Sequence, residues 1–271
     1  MARYSRMNPR RPFWIVLSLA GVVVVGLRFW LAHADTALTS MSSSPVLRAP
    51  EHWQDLKPEQ RLVDLKLRRQ SPLEGDLQAA GFHLGSPAFI RLFKESSELE
   101  LWLQKPGAAT FEKYKTYAIA RWSGKLGPKQ KEGDCQAPEG FYNVVSKRLN
   151  PASKYHLSFN IGYPNAYDTA HGFTGGLIMV HGKDVSIGCF AMTDPVIEEL
   201  YLVVSAALNA GQPEIPVHCF PFRMTKERMA LAKAENSPWV DFWNELQPAY
   251  LAFETGHVPP VVRQGAKYEV E

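Results

Sequence analysis

The sequence has few cysteines, no large excess of either charge and no internal repeat. Three cysteines in 271 residues are too few for a fold built on disulfides. The net charge is only +3 and the basic residues are scattered, which argues against a nucleic-acid partner. Spacings of the Cys-x-x-Cys or His-x-x-x-His kind are missing, and we therefore predict no metal site. The composition, 45% hydrophobic and 21% charged, is that of an ordinary globular chain with one large domain or two small ones.

The apolar run near the N-terminus is too short to span a membrane. It covers 15 residues, Phe13 to Leu27, whereas a spanning helix needs about 20. Arginines precede the run, and Ala32-His33-Ala34 follows it as a small-x-small cleavage site. We therefore predict a signal peptide over residues 1–34, with an uncleaved N-terminal membrane anchor as the alternative. In both cases the chain is exported, and it contacts a membrane, through this segment, only if the segment is not cleaved.

The three cysteines are Cys135, Cys189 and Cys219. An odd number leaves at least one thiol unpaired in an exported chain. If Cys135 and Cys219 pair, Cys189 is the free thiol. The alternative, which we favour, is that Cys135 and Cys219 are small apolar residues without a bridge.

After the N-terminal segment, the sequence pattern divides the chain into four parts. Residues 35–56 are rich in Ser, Thr, Ala and Pro and are predicted to be a linker. Leucines at helical spacing predict a helical lead-in over residues 57–87, made of two short helices broken near Ser71-Pro72. Residues 88–222 contain the predicted strands. Residues 223–271 are predicted to form C-terminal helices that end in a tail.

Short strands dominate the middle of the chain. Phe89 to Phe93 and Leu99 to Leu103 alternate with period two on either side of the polar turn 94–97, which predicts a β-hairpin. Further short strands, among them Leu177 to His181, predict a closed or sandwich-like sheet. We therefore predict a mainly β fold of the α+β class. Its mixed β sandwich or barrel has helices N-terminal and C-terminal to it.

A histidine and a cysteine lie at the two ends of a short loop. His181 ends a predicted strand, and Cys189 follows after seven intervening residues. A free thiol has a pKa near ~8.5, and an imidazole beside it can take its proton to give a nucleophile. On spacing alone a structural pair is the better interpretation. The neighbouring glycines and the preceding apolar strand favour catalysis, because sites commonly lie on loops held by rigid strands.

Three further residues of this loop are candidates for supporting the pair. Gly182 and Gly188 relieve crowding at its two ends, and Gly188 lets backbone N–H groups converge as an oxyanion hole. Ser186 is predicted to support the loop or to touch the substrate. A backbone carbonyl near Gly182 is the favoured orienter of the imidazole, with Asp184 as a weaker candidate.

The order His-Gly and then Ser-x-Gly-Cys resembles the signature of the L,D-transpeptidase catalytic domain, the YkuD-type domain of bacterial cell-wall enzymes. Residues 124–142 resemble the central strand, loop and strand of the same family, and the matches together cover residues 88–222. The resemblance implies an L,D-transpeptidase-like fold and a cysteine acyl-enzyme mechanism that needs no cofactor. By motif, Cys189 is the nucleophile, and His181 is the general base and acid.

Two stretches, Gly162 to Asp168 and Gly188 to Asp194, resemble one subgroup of this family. It includes the periplasmic amidase that releases peptidoglycan-bound lipoprotein. Ala191 stands where many members have an arginine, and the loop from His181 to Cys189 is short. These departures favour a periplasmic enzyme that hydrolyses the amide between a protein, such as an outer-membrane protein, and the diaminopimelate L-centre of a peptidoglycan stem peptide. The alternatives are a transpeptidase that forms 3-3 cross-links or attaches protein, and an inactive peptidoglycan-binding domain.

Substrate contacts are predicted in a loop upstream of the pair. Tyr163 and Asn165 lie in a Gly/Pro-rich stretch and are candidates for binding the stem peptide, with loop packing as the alternative. His171 is a candidate second proton carrier or, alternatively, stabilises its loop. The cationic candidates for stem-peptide carboxylates are Arg121, Lys147 and Arg148.

Overall fold

The computed structural model of the protein describes residues 49–271. The predicted signal peptide or anchor over residues 1–34 lies outside the described residues, as does the first part of the predicted linker. Within residues 49–271, no helix combines the length and the apolar character needed to cross a membrane.

Five α-helices form in the described residues. They are α1 (Pro58–Ala79), α2 (Ala166–Ala170), α3 (Asp194–Asn209), α4 (Lys226–Ala234) and α5 (Val240–Gly256). A short 3₁₀ turn at Trp53–Asp55 precedes α1, and a second follows at Ser146–Arg148.

The helical lead-in is a single helix, α1, so the prediction of two short helices is wrong. Pro72 lies inside α1 and removes one backbone donor, which disfavours a helix locally. The apolar face of α1 is nevertheless buried: Leu65 and Leu77 are fully buried and Leu73 is 5% exposed. Packing of this face outweighs the local penalty of the proline, and a local sequence pattern does not contain that packing term.

Eleven short strands lie in the same part of the chain. They are β1 (Ala88–Phe93), β2 (Glu98–Gln104), β3 (Phe111–Ala118), β4 (Gly140–Val144), β5 (Leu149–Asn150), β6 (Ser158–Asn160), β7 (Met179–His181), β8 (Phe190–Ala191), β9 (Ile215–Phe220), β10 (Val262–Gln264) and β11 (Tyr268–Val270).

The larger sheet has five strands in the order β3-β2-β1-β9-β4. Strands β1 and β2 form the predicted antiparallel hairpin, and β1 pairs with β9 in parallel. Buried charges of this sheet pair across strands: Arg91 faces Glu100 in the register, and its guanidinium lies 2.7 Å from that carboxylate. Both side chains are about 2% exposed or less, so the pair is a structural feature of the interior.

The smaller sheet has four strands in the order β5-β6-β7-β8. Strand β6 pairs antiparallel with β7, and β7 pairs in parallel with β8. Helix α3 packs against strands of both sheets, and its apolar face, with Ile197, Leu200 and Val204, lies in a core that both sheets share. The predicted mixed α+β fold is confirmed. The closed alternative is wrong, because β3 and β4, the outer strands of the larger sheet, do not pair with each other.

The last residues form a folded hairpin, so their prediction as a tail is wrong. Strands β10 and β11 pair antiparallel, and β11 packs against α5. The Tyr268 ring stacks on Tyr167 with centroids 4.2 Å apart and meets Phe141 edge-on at 4.8 Å. Strands of three residues are too short to show a clear alternation, and aromatic packing stabilises them instead.

Candidate active site

His181 and Cys189 are brought together by the parallel pairing of β7 and β8. His181 is the last residue of β7, and Cys189 directly precedes β8. The register pairs Val180 with Phe190, so Cys189 lies beside Met179. The Met179 N–H donates to Cys189 Sγ over 3.4 Å, and the thiol points to the Leu177 carbonyl at 3.7 Å. The thiol is therefore fixed to the neighbouring strand by backbone contacts.

Both side chains line one cavity of about 410 Å³. The imidazole is almost fully buried, whereas the cysteine is half-buried. Gly188 and the exposed side chains of Leu177 and Ile187 also line the cavity, and the two apolar side chains are 73% and 80% exposed. A substrate entering this cavity would reach the sulfur and meet an apolar rim.

The orientation of His181 is set by its own chain. Its Nδ1–H donates to the Gly182 carbonyl at 2.5 Å, as the preference for a backbone orienter near Gly182 anticipated. Since a carbonyl oxygen only accepts, Nδ1 carries the proton and Nε2 holds a lone pair. Burial lowers the pKa of His181 below its ordinary value of 6.5, and the carbonyl offsets part of that effect. The imidazole is therefore a neutral base at neutral pH.

Cys189 is a neutral thiol in the same conditions. Burial raises the pKa of the Cys189 thiol above its ordinary value of 9.0, while the Met179 N–H and the charge of Lys129 counteract part of that rise. In residues 49–271 the thiol is bonded to Met179 and Leu177 rather than to the imidazole. A neutral imidazole and a neutral thiol therefore line the same cavity.

The loop between the pair is fastened by Ser186. Its Oγ donates to the Cys189 carbonyl at 2.7 Å, accepts the Gly188 N–H at 3.2 Å and lies 3.2 Å from Ser123 Oγ. Gly188 has φ +137°, a backbone conformation that side-chain-bearing residues rarely adopt. Ser186 thus shapes the loop, and the Gly188 N–H is already engaged.

Gly182 is required by its surroundings. A Cβ at this position would lie 2.6 Å from Asp194 Oδ1, 2.9 Å from the His156 Cβ and 2.9 Å from the Tyr155 carbonyl. No side chain fits there without displacing the peptide that holds His181.

Tyr163, Asn165 and His171 do not line this cavity. The Tyr163 hydroxyl bonds to the carbonyls of Lys129 and Thr174, and its ring is buried. Asn165 caps α2 and also bonds the Phe141 carbonyl and the Tyr268 hydroxyl. His171 ends α2, where its Nδ1 lies 2.9 Å from the Tyr167 carbonyl. All three side chains are engaged in contacts of the fold.

The cavity contains polar groups that sequence reasoning missed. Lys129 and Lys154 line it, whereas Arg121, Lys147 and Arg148 do not. Lys129 Nζ bonds to Asp134 Oδ1 at 2.5 Å and to the Lys131 carbonyl at 2.7 Å, while Lys154 is exposed.

Ser158 is the second missed group. It pairs with His181 across β6 and β7, lines the cavity and is 1% exposed. Its Oγ has no hydrogen-bond partner among residues 49–271. A serine in a predicted strand gives no signal of this kind, because only the register shows which side chain lies opposite it.

No disulfide joins Cys135 and Cys219, and all three cysteines of the chain are free thiols. Cys135 is exposed and Cys219 is fully buried in the core. The preferred interpretation of these two cysteines as unbridged residues agrees with the structure.

Comparison with known proteins gives one family. The family model of the L,D-transpeptidase catalytic domain (YkuD) matches residues 101–217. "Putative L,D-transpeptidase YafK" of Escherichia coli K12 is 45% identical over 179 residues, which are 66% of this chain and 71% of that protein, and its counterpart in Escherichia coli O157:H7 gives the same values. Among solved structures, the helical cell shape determining protein Pgp2 from Campylobacter jejuni aligns with a TM-score of 0.40 and 23% identity, covering 67% of this chain and 68% of that one.

Proposed function

The chain belongs to the L,D-transpeptidase catalytic domain family, and on that premise we propose that it is an exported cysteine enzyme of peptidoglycan. Its substrate would be a stem peptide whose diaminopimelate L-centre carbonyl forms an amide with a linked protein. The main support is that His181 and Cys189 line a single cavity, with the imidazole oriented by a backbone carbonyl. That geometry supplies a nucleophile and a base to one carbonyl group.

The first half of the proposed reaction forms a thioester. Cys189 Sγ attacks the substrate carbonyl while His181 Nε2 takes the thiol proton. The carbonyl oxygen becomes an oxyanion, and the N–H of Cys189 is the candidate donor to it, because the Gly188 N–H is bonded to Ser186. The C–N bond then breaks, and the imidazolium gives its proton to the departing amine.

The second half hydrolyses the thioester. A water molecule loses its proton to His181 Nε2 and attacks the same carbonyl. The C–S bond breaks, the carboxyl product leaves, and the proton returns to the sulfur. Hydrolysis rather than transfer is supported by Ala191, which stands in place of the arginine of many members, and by the short loop between the pair.

Binding of the substrate would use the cations of the cavity. Stem peptides carry carboxylates, and Lys154 and Lys129 are the two lysines that line the cavity. Lys129 is held by Asp134, so its charge is partly balanced, whereas Lys154 is exposed at the rim. We assign Lys154 the larger part in attracting the stem carboxylate.

The proposal is tested with sacculi that carry linked protein. Wild type should release the protein and leave free stem peptides, whereas Cys189→Ala should lower the rate by at least about 10³-fold. Cys135→Ala is the matched control, since it removes an exposed thiol outside the cavity and should retain the wild-type rate. New stem dimers would show transfer instead of hydrolysis, and undiminished release by Cys189→Ala would contradict the proposal.

A further inference from the structure

A carboxylate lies one peptide group away from the His181 imidazole. The Gly182 carbonyl accepts from His181 Nδ1 at 2.5 Å, and the Lys183 N–H donates to Asp194 Oδ1 at 2.8 Å. That carbonyl and that N–H belong to the same planar peptide unit. A continuous chain of hydrogen bonds therefore joins the carboxylate to the imidazole.

Hydrogen bonds in such a chain strengthen one another. An anion that accepts the peptide N–H polarises the amide, and its carbonyl oxygen becomes a better acceptor. In a Ser-His-Asp triad the carboxylate bonds the imidazole directly, fixes the tautomer and stabilises the imidazolium. Here the same charge would act through one amide.

We propose that Asp194 is the third member of this catalytic relay and acts on His181 through the Gly182–Lys183 peptide. It is a positioning residue, since it touches neither the substrate nor the reacting sulfur. This role rests on the proposed function of His181 as the base.

The surrounding fold holds the relay in place. Asp194 begins α3, after Thr193 with φ +70°. The Thr193 N–H bonds to the Lys183 carbonyl at 2.9 Å, and the Met192 N–H bonds to the His181 carbonyl at 2.8 Å. The two segments thus run side by side, and the carboxylate meets the peptide at a fixed position.

The side chains of Lys183 and His156 also lie next to the Asp194 carboxylate, so both influence the result of the test. Lys183 Nζ lies 2.9 Å from Asp194 Oδ2, and His156 Nδ1 lies 3.8 Å from the same oxygen. His156 Nε2 is in turn 2.9 Å from Glu198, which also pairs with Arg68. Asp194 keeps 31% of its side chain exposed, so part of its field is screened by solvent.

The test measures the pKa of the His181 imidazole directly, by NMR titration of the histidine rings, with the His181 signal assigned by its loss in His181→Gln. Asp194→Asn keeps an acceptor for the Lys183 N–H and removes the charge. Because the imidazolium loses a stabilising anion, we expect the His181 pKa to fall by on the order of half a unit. The acid limb of Cys189 alkylation by iodoacetamide should move to lower pH by the same amount.

Two matched variants separate the relay from general effects. Asp184→Asn removes an equal charge from the loop between His181 and Cys189. Because the Asp184 carboxylate is exposed and screened by solvent, this variant should lower the His181 pKa by less than Asp194→Asn does. Lys183→Met removes the ammonium that faces Asp194 but keeps the backbone relay, and we expect the His181 pKa to rise. An Asp194→Asn shift no larger than that of Asp184→Asn, with both proteins folded by thermal melting, would overturn the relay. The titration needs no substrate, so it tests the coupling of Asp194 to His181 by itself, whereas a failure of the sacculus assay would count against the proposed function and leave that coupling standing.

Discussion

The polar groups that line the cavity of the smaller sheet differ from the charge pairs buried in the larger sheet. At the end of the larger sheet, Lys94 and Glu139 are both fully buried and form an ion pair of 2.9 Å. In the smaller sheet, His181 and Cys189 are kept neutral by burial, and the Ser158 hydroxyl has no partner in the described residues. A buried charge pair is costly to break because the remaining charge is left uncompensated, whereas neutral or unpartnered groups that line a cavity remain available to a substrate.

Strand β9 of the larger sheet also carries a buried histidine and a buried thiol, His218 and Cys219, but neither lines the cavity. Access to the cavity therefore distinguishes His181 and Cys189 from the buried groups of the larger sheet.

The largest effect should come from breaking the pair in the larger sheet. Lys94→Met leaves the Glu139 carboxylate buried without its cation, although Glu139 still accepts the Gly127 N–H and the Trp243 indole N–H. We expect a loss of about 3–5 kcal/mol in the free energy of unfolding, measured by urea denaturation. A second change, Glu139→Gln, should recover part of this loss because it removes the unpaired charge. An unchanged unfolding midpoint for Lys94→Met would remove the basis of the comparison.

A smaller effect is expected on the rate of Cys189 acylation when the pH falls through the pKa of His181. The burial-lowered pKa of His181 lies below 6.5, so the imidazole stays neutral at neutral pH and becomes protonated as pH falls through that value. The rate of Cys189 acylation should then fall about tenfold per pH unit below the His181 pKa. Since burial raises the pKa of the Cys189 thiol above 9.0, the alkaline limb of the rate profile should lie above pH 9.0. An acid limb that does not coincide with the His181 pKa measured by NMR titration would indicate a thiolate–imidazolium pair instead.

The smallest effect should come from the rim of the cavity. Lys154→Met removes an exposed cation and should raise KM a few-fold, since an exposed charge pair contributes about 0.2–1 kcal/mol. We expect no change in its unfolding free energy, in contrast with Lys94→Met. Steady-state kinetics and urea denaturation of the two lysine variants, measured side by side, sharpen the distinction between the sheets. An unchanged KM would assign carboxylate binding elsewhere.

The local sequence pattern was sufficient to predict the structure where residues that are close in the sequence are also close in the fold. The hairpin of β1 and β2 was predictable from alternation. The short loop predicted that His181 and Cys189 lie near each other, and both line one cavity, although their hydrogen bonds go to backbone groups and not to each other. Asp194 was out of reach, because its bond to the Lys183 N–H depends on how α3 starts beside β7. Ser158 and Lys154 were also missed, since the register of β6 against β7 and the fold of the preceding turn place them at the cavity.

Mass spectrometry of the acyl-enzyme shows whether Cys189 carries the acyl group during the reaction. The wild-type protein would be mixed briefly with a soluble stem peptide that carries a lysine amide on diaminopimelate, and then quenched in acid. We expect a thioester adduct on the tryptic peptide containing Cys189, with the amine released in equal amount. Release of the amine with no adduct on Cys189, or with an adduct on another residue, would contradict the proposed function.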